Sequence, residues 1–227
     1  MTLHSNTITG YKVFNHDFTC RDYDFKGVGT THTYKGTPVL CQSGFHFCTT
    51  LQDCFKYYDI TPHMIICEVT ATGYTDAKGD CSKRTCQSLS IIRQIPLHEV
   101  VQHITDSAYA YLWARDIGNR DIMIDRITDS WYAYLWARYI GNKDIMIDRI
   151  TDSWYAYLWA RYIGNKDIMI DRITDSRWAY CWARDIGNRD IMIDRITESK
   201  YAYLWAKDIG NRDIMIARYP EIKNWLA

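Results

Sequence analysis

Two patterns of apolar and polar residues divide the chain. From Ile104 onward the apolar positions recur with a helical period inside a unit of 23 residues, and the starts of successive units fall at Ile104, Ile127, Ile150, Ile173 and Ile196. With that Ile as position 1, positions 7, 10, 11 and 14 are Ala, Trp, Ala and Ile in every copy. A spacing of i, i+3, i+4, i+7 marks one face of an α-helix, so positions 3–14 are predicted helical. Thr, Asp (Glu in the last copy) and Ser at positions 2–4 supply an N-cap and an acid for the first turn. Gly at position 15 ends the helix in a left-handed cap, and Asn at position 16 is placed to cap a second helix. Asp at position 18 and Arg at position 23 then complement the dipole of that second helix. Ile, Met and Ile at positions 19–21 are its apolar residues.

A single hairpin of this size cannot bury its own apolar face. Stacked copies bury it against each other, which is the logic of an α-solenoid. The second and third units, Ile127–Arg149 and Ile150–Arg172, are identical. A unit that already fits its copy extends such a stack by tandem duplication, and the regular Gly-Asn break argues against a long coiled coil. Residues 97–103 match a degenerate second helix, with Val100 and Val101 where the repeats have Met and Ile. Residues 219–227, with Pro220 near a helix start, are predicted to close the other end. Position 22 is Asp125, Asp148, Asp171 and Asp194, then Ala217 in the last copy. That pattern is expected if each Asp meets the repeat after it, paired with the position-12 or position-23 Arg.

Residues 8–96 have another grammar. "ITGYKVF", "GTPVLC", "GFHFC", "MIICEVTATG" and "LSIIRQI" are predicted strands between Gly-, Asp- and Thr-rich turns. "TLQDCFKYYDI" is predicted to be a helix capped by Thr49 or Thr50. The fold class is therefore an α+β N-terminal domain followed by an all-α solenoid of helical hairpins. The organisation is residues 8–96 as the domain, 97–103 as a capping helix, 104–218 as five repeats and 219–227 as a C-terminal cap.

Charge narrows the partners. The 27 basic and 27 acidic residues cancel, and each repeat mixes both signs, so neither nucleic acid nor an anionic membrane is an expected partner. The N-terminal "MTLHSNTITG" lacks an apolar signal core, and no run approaches the roughly 18 apolar residues of a membrane span. A soluble, cytoplasmic protein is expected. Seven of the eight cysteines precede residue 90 and none forms a CxxC pair, which fits reduced thiols. Cys41, His46, Cys48 and Cys54 lie within 14 residues and are zinc-type donors, but their spacing matches no familiar zinc knuckle. No metal site, cofactor or catalytic residue is assigned, since no Ser-His-Asp array, phosphate loop or carboxylate pair stands out.

The motifs "YKVFNHDFTCRDYDF", "LCQSGFHFC", "DCFKYY" and "CEVTATG" resemble a small uncharacterised domain of bacteriophage and bacterial proteins that often precedes other modules, including repeats. The resemblance covers roughly Tyr11 to Val101 and implies a phage or mobile-element origin, with action in the host cytoplasm. A second likeness is similar to ADP-ribosyltransferase-like folds: a strand, then Gly-Phe-His-Phe before a helix with paired Tyr, then a strand with Glu. It implies roles for Lys12, His46 or Tyr57, and Glu68, with Lys12 standing where such enzymes carry Arg or His.

The repeats differ among themselves at a few positions. Position 5 is Ala108, Trp131, Trp154, Arg177 and Lys200; position 13 is Asp116, Tyr139, Tyr162, Asp185 and Asp208. Positions 5, 9 and 13 form one i, i+4 line, and a line that accepts Ala, Trp, Arg and Lys is not a packed core. Trp131, Leu135, Tyr139, Trp154, Leu158 and Tyr162, continued by Arg177 and Lys200, are thus expected to form an exposed stripe of residues typical of binding hot spots. Two blander accounts stand beside it: the aromatics cover the N-terminal domain, or a single aromatic unit was duplicated. The expected function is a non-enzymatic interaction protein that binds, and in an anti-defence role inhibits, a host or phage protein; self-association is a further possibility. The alternative is an ADP-ribosyltransferase-like enzyme with the solenoid as its targeting arm.

Overall fold

The structure is a computed structural model and describes residues 3–76 and 82–227; Cys81 lies outside the described residues. The chain divides into two compact units, residues 1–127 and 128–227.

The first unit is built on β1 (Ile8–Phe14), β2 (Thr19–Cys20), β3 (Tyr23–Asp24), β4 (Thr31–Thr33), β5 (Phe45–Cys48), β6 (Ile65–Tyr74) and β7 (Lys83–Gln94). β1 runs antiparallel to β6 from Ile8↔Ala71 to Phe14↔Ile65. β6 pairs with β7, β7 with β5, and β5 with β1 through Tyr11↔Cys48, so four strands close on themselves into a small antiparallel barrel. β4 adds to the β7 edge, and β2–β3 form a separate ribbon. Cys67, Val69 and Ala71 alternate inward along β6, and join Phe14, Phe25, Phe45, Phe47, Leu89 and Ile91 in one core. The β1–β5 contact is close: a Cβ on Gly10 would stand 2.5 Å from both the Cys48 carbonyl and the Phe47 ring.

Three predicted features differ. "GTPVLC" is not a strand but a turn, in which Cys41 takes a left-handed backbone (φ 65°) and Val39 N–H donates to Ser43 O at 3.1 Å. The predicted helix after Thr50 is a single 3₁₀ segment, Gln52–Lys56, long enough to bury Leu51, Cys54 and Phe55 and no more. β2, β3 and β4 were not foreseen, because two or three residues display no period.

After β7 come a helical turn, Leu97–Val100, and a 3₁₀ turn, Val101–His103, with Val100 and Val101 fully buried. The first repeat follows, as helices Ser107–Asp116 and Arg120–Met123. It packs on the barrel domain: the Phe55 ring lies 5.7 Å from Tyr109 and 6.2 Å from Trp113. Gln52 Oε1 accepts the backbone N–H groups of Thr105 (2.6 Å) and Asp106 (3.0 Å).

The second unit holds the other four hairpins. Their first helices are Ser130–Tyr139, Ser153–Tyr162, Ser176–Asp185 and Ser199–Asp208; their second helices are Lys143–Met146, Lys166–Met169, Arg189–Met192 and Arg212–Arg218. Position 3 is the N-cap. Asp129, Asp152 and Asp175 each accept two backbone N–H bonds, whereas Glu198, one methylene longer, accepts none. Each hairpin turns through two residues of positive φ, Gly at about 125° and then Asn at about 52°. Asn therefore serves through its left-handed backbone, and its side chain caps nothing, contrary to the sequence expectation.

The inner face is Trp136, Trp159, Trp182 and Trp205 with Met146, Met169, Met192 and Met215, all fully buried beside the paired Ala. The position-14 Ile is only half-buried. The position-19 Ile faces out, from 44% exposed at Ile214 to 48% at Ile168. A four-residue helix advances about 100° per residue, so three consecutive apolar side chains cannot all face inward.

Neighbouring hairpins are joined by the same polar contacts at each junction. Ser130 Oγ accepts Thr151 N–H (2.9 Å) and donates to Arg149 O (3.0 Å), and Ser153 and Ser176 repeat this on Thr174 and Thr197. The Asp ladder is present, and its partner is the position-23 Arg of the following repeat: Asp148–Arg172 and Asp171–Arg195 at 3.5 Å, Asp194–Arg218 at 2.7 Å. These Asp are largely exposed, so each pair contributes little by itself. The same Arg172 and Arg195 also donate to the carbonyls of Ile150 (2.7 Å) and Ile173 (2.8 Å). Beyond Ala217, a 3₁₀ turn, Pro220–Asn224, buries Ile222, and Tyr219 Oη donates to Ile196 O at 2.8 Å. Among the described residues no helix is long and apolar enough to cross a membrane.

Candidate functional site

The residues of the expected stripe lie on the second unit, and they are not equally exposed. Tyr139 is 62% exposed, Tyr162 53% and Trp131 37%. Arg177 and Lys200 are exposed, while Leu135 and Leu158 are half-buried. Trp154 departs from the expectation of full exposure. It is half-buried, with its ring centroid 4.1 Å from Trp178 of the next repeat. Trp131 makes the equivalent but looser contact with Tyr155, at 5.5 Å. The position-6 aromatic that receives each of these rings was missed by sequence reasoning. Its signal was available, since position 6 is Tyr or Trp in every copy.

A groove of about 410 Å³ runs between the first helices of repeats two and three, lined by Trp131, Tyr134, Leu135, Arg138, Tyr139, Trp154, Tyr155, Leu158 and Tyr162. Neither Arg177 nor Lys200 lines it. The groove owes its character to position 13. At Asp116 and Asp185 the carboxylate neutralises a position-12 Arg: Arg115–Asp116 and Arg184–Asp185 pair at 2.7 Å, and Arg161 reaches Asp185 at 3.1 Å. Around Arg138, where positions 13 of repeats two and three are both Tyr, rings take the place of the carboxylate. The Arg138 guanidinium lies 5.0 Å from the Tyr162 ring, 5.4 Å from Tyr139 and 5.8 Å from Tyr134. Arg138 also donates to Tyr134 Oη. It makes no ion pair with any described residue, and no carboxylate lines the groove. The groove thus combines a free cation with exposed ring faces.

A second concave region lies in the barrel domain. A cavity of about 960 Å³ is lined in part by Lys12, His46 and Tyr57, three of the residues implied by the ADP-ribosyltransferase likeness. The fourth, Glu68, does not line it and is held by Arg93 at 3.0 Å, with Arg93 also paired to Glu99 at 2.8 Å. His46 Nε2 accepts Cys41 N–H at 3.0 Å, which leaves the ring proton on Nδ1. Burial, reinforced by the charges of Lys12, Lys83 and Arg21, lowers the His46 pKa to about 4. Cys48 and Cys54 are buried free thiols. Its hydrogen bond to Cys48, together with burial, keeps the Cys54 thiol protonated and pushes its pKa well up. Among the described residues no three His, Cys, Asp or Glu side chains are grouped to hold a metal ion. The four candidate zinc donors are therefore not assembled: His46 is engaged with the Cys41 backbone, and Cys54 with Cys48 and Tyr11 O.

Residues 8–103 match a family described as a domain of unknown function, DUF7666. No curated protein and no solved structure matches the chain.

Proposed function

We propose that the chain is an interaction protein whose groove on repeats two and three takes an extended protein segment bearing a carboxylate beside apolar side chains. The observation that carries this reading is Arg138, a cation set among three Tyr rings with no carboxylate partner among the described residues. A carboxylate on the incoming segment would pair with Arg138. Its apolar neighbours would cover Trp131, Leu135 and Leu158, side chains of the kind that concentrate binding energy. Repeats one and four hold an Asp beside the same Arg, and Arg161 of repeat three reaches Asp185, so the device is centred on Arg138 of repeat two. The likeness to phage-borne domains extends the reading to a host defence or regulatory protein as the source of that segment.

The test is a random-peptide display selection against the full chain, run in parallel on a Tyr139→Asp, Tyr162→Asp variant. These substitutions install the residue that repeats one, four and five already carry, so the fold is expected to persist. The wild-type chain should enrich peptides with an acid next to apolar residues, and the variant should lose them. Equal enrichment on both proteins would contradict the proposal.

A further inference from the structure

The barrel domain buries a charge it does not neutralise. Lys12 sits in the middle of β1, is 3% exposed, and lines the large cavity. Its Nζ donates to His46 O at 3.0 Å and meets Cys20 Sγ at 3.5 Å. The faces of Phe14 and Phe25 lie 5.4 and 5.1 Å away. No carboxylate among the described residues pairs with it. An ammonium has three donors, and the carbonyl and the weak thiol contact account for two. Burying a cation costs several kcal/mol unless an anion compensates it. A barrel interior of Phe, Val and Leu gains nothing from a charge at this position, and Met would fill the same space without that cost.

The cavity around Lys12 has the complementary character. Its lining carries four cationic side chains, Lys12, Arg21, Lys35 and Lys83, against one carboxylate, Asp22. Arg21 and Lys35 are exposed, while Lys12 is buried, so positive charge runs from the surface inward. Tyr11, Tyr23, Phe25, Tyr34, Tyr57 and Tyr58 supply ring faces and edges along the wall. A volume of about 960 Å³ is at the upper end of the range of small-molecule sites. His46 contributes a dipole rather than a charge, because its burial among cations keeps the imidazole neutral at physiological pH.

We infer that this cavity binds a small organic anion that combines a planar ring with a phosphate or carboxylate head group, the head group lying against Lys12 and the ring against the tyrosines. The site is separate from the repeat groove, and its occupation requires no chemical step. Nucleoside monophosphates and aryl carboxylates share this chemistry, and calorimetry on the full chain distinguishes them. The probes are the four ribonucleoside 5′-monophosphates, indole-3-acetate, adenosine and inorganic phosphate. At least one ring-bearing anion should bind, with affinity falling as salt rises. Adenosine and phosphate, each lacking half of the recognition, should bind about tenfold or more weaker.

Lys12→Met should abolish binding, while the melting temperature of the unliganded protein holds or rises. If that variant does not fold, the exposed pair Arg21→Gln and Lys35→Gln serves instead, with several-fold weaker binding expected. Three results would overturn the inference: no ring-bearing anion binding at millimolar concentration, adenosine or phosphate binding as tightly as the ring-bearing anion, or affinity unchanged by these substitutions.

Discussion

The barrel domain and the repeat unit hold their chains together by opposite means. In the repeats, one set of contacts is written several times: a buried Trp on a buried Met, a Ser hydroxyl accepting the next repeat's Thr amide, and an Asp meeting the next repeat's Arg. In the barrel each contact occurs once, between partners far apart in sequence, such as Ile8 with Ala71. The comparison separates structure from candidate function differently in the two regions. Among repeats, a residue that varies while its neighbours stay fixed stands on the surface, and its variation marks where the surface has a character of its own. In the barrel, the residue that stands out is the one that violates the burial rule, Lys12. The first repeat shows how the two regimes join, for Gln52 Oε1 receives the Thr105 amide that a preceding repeat's Ser would otherwise receive.

The sharpest test of the repeated core is Trp159→Ala. That ring is fully buried, and truncation should cost about 3–5 kcal/mol in urea unfolding. A cost below about 1 kcal/mol would mean the inner face is not packed as described. Ser153→Ala should follow, at about 1–2 kcal/mol, because the Thr174 N–H and the Arg172 carbonyl both lose the Ser153 hydroxyl at a part-buried junction. Next come the two Trp of the stripe. Trp154→Lys gives up a tilted ring contact with Trp178, 4.1 Å between centroids, and should cost about 1–2 kcal/mol. Trp131→Lys, at a more exposed ring, should cost less than about 1 kcal/mol. Equal costs would erase the distinction between a residue that joins repeats and one that faces solvent.

In the barrel the expected effect is a pH dependence, absent at neutral pH. His46 titrates at about 4 in the folded chain and near 6.5 when unfolded, so below pH 6.5 the unfolded chain binds the extra proton. The contribution is fully present above pH 6.5 and is lost as the pH falls toward 4. His46→Gln, which keeps an acceptor for the Cys41 amide, should flatten that part of the curve of melting temperature against pH. An unaltered slope would show that the imidazole is not held neutral.

Periodicity made the repeats legible: their register, hairpin turn, buried Ala-Trp-Ala face and inter-repeat Asp all follow from residues copied at one spacing. It did not reveal which of three successive apolar residues faces out, so the exposure of the position-19 Ile was not anticipated. Nor did the invariance of Asn at position 16 disclose that its backbone, not its side chain, is what the turn requires. In the barrel, long strands such as β1 and β6 were readable from their alternation, while β2, β3 and β4 were too short to display one. The cavity was out of reach, because its lining comes from separated stretches, from Tyr11 through Tyr34 and Phe45 to Lys83, that only closure of the sheet brings together. Of the stripe, the exposed aromatics were predictable. The unpaired state of Arg138 was not, since it depends on what stands beside it in the next repeat.

The most direct measurement of the central claim is fluorescence polarisation of one acidic, apolar peptide from the display selection, titrated with the wild-type chain and with Tyr139→Asp, Tyr162→Asp. The account predicts that Asp beside Arg138 leaves the melting temperature within a few degrees and weakens the peptide by about tenfold or more, the scale of a lost hot spot. Equal affinity in a folded variant would contradict it.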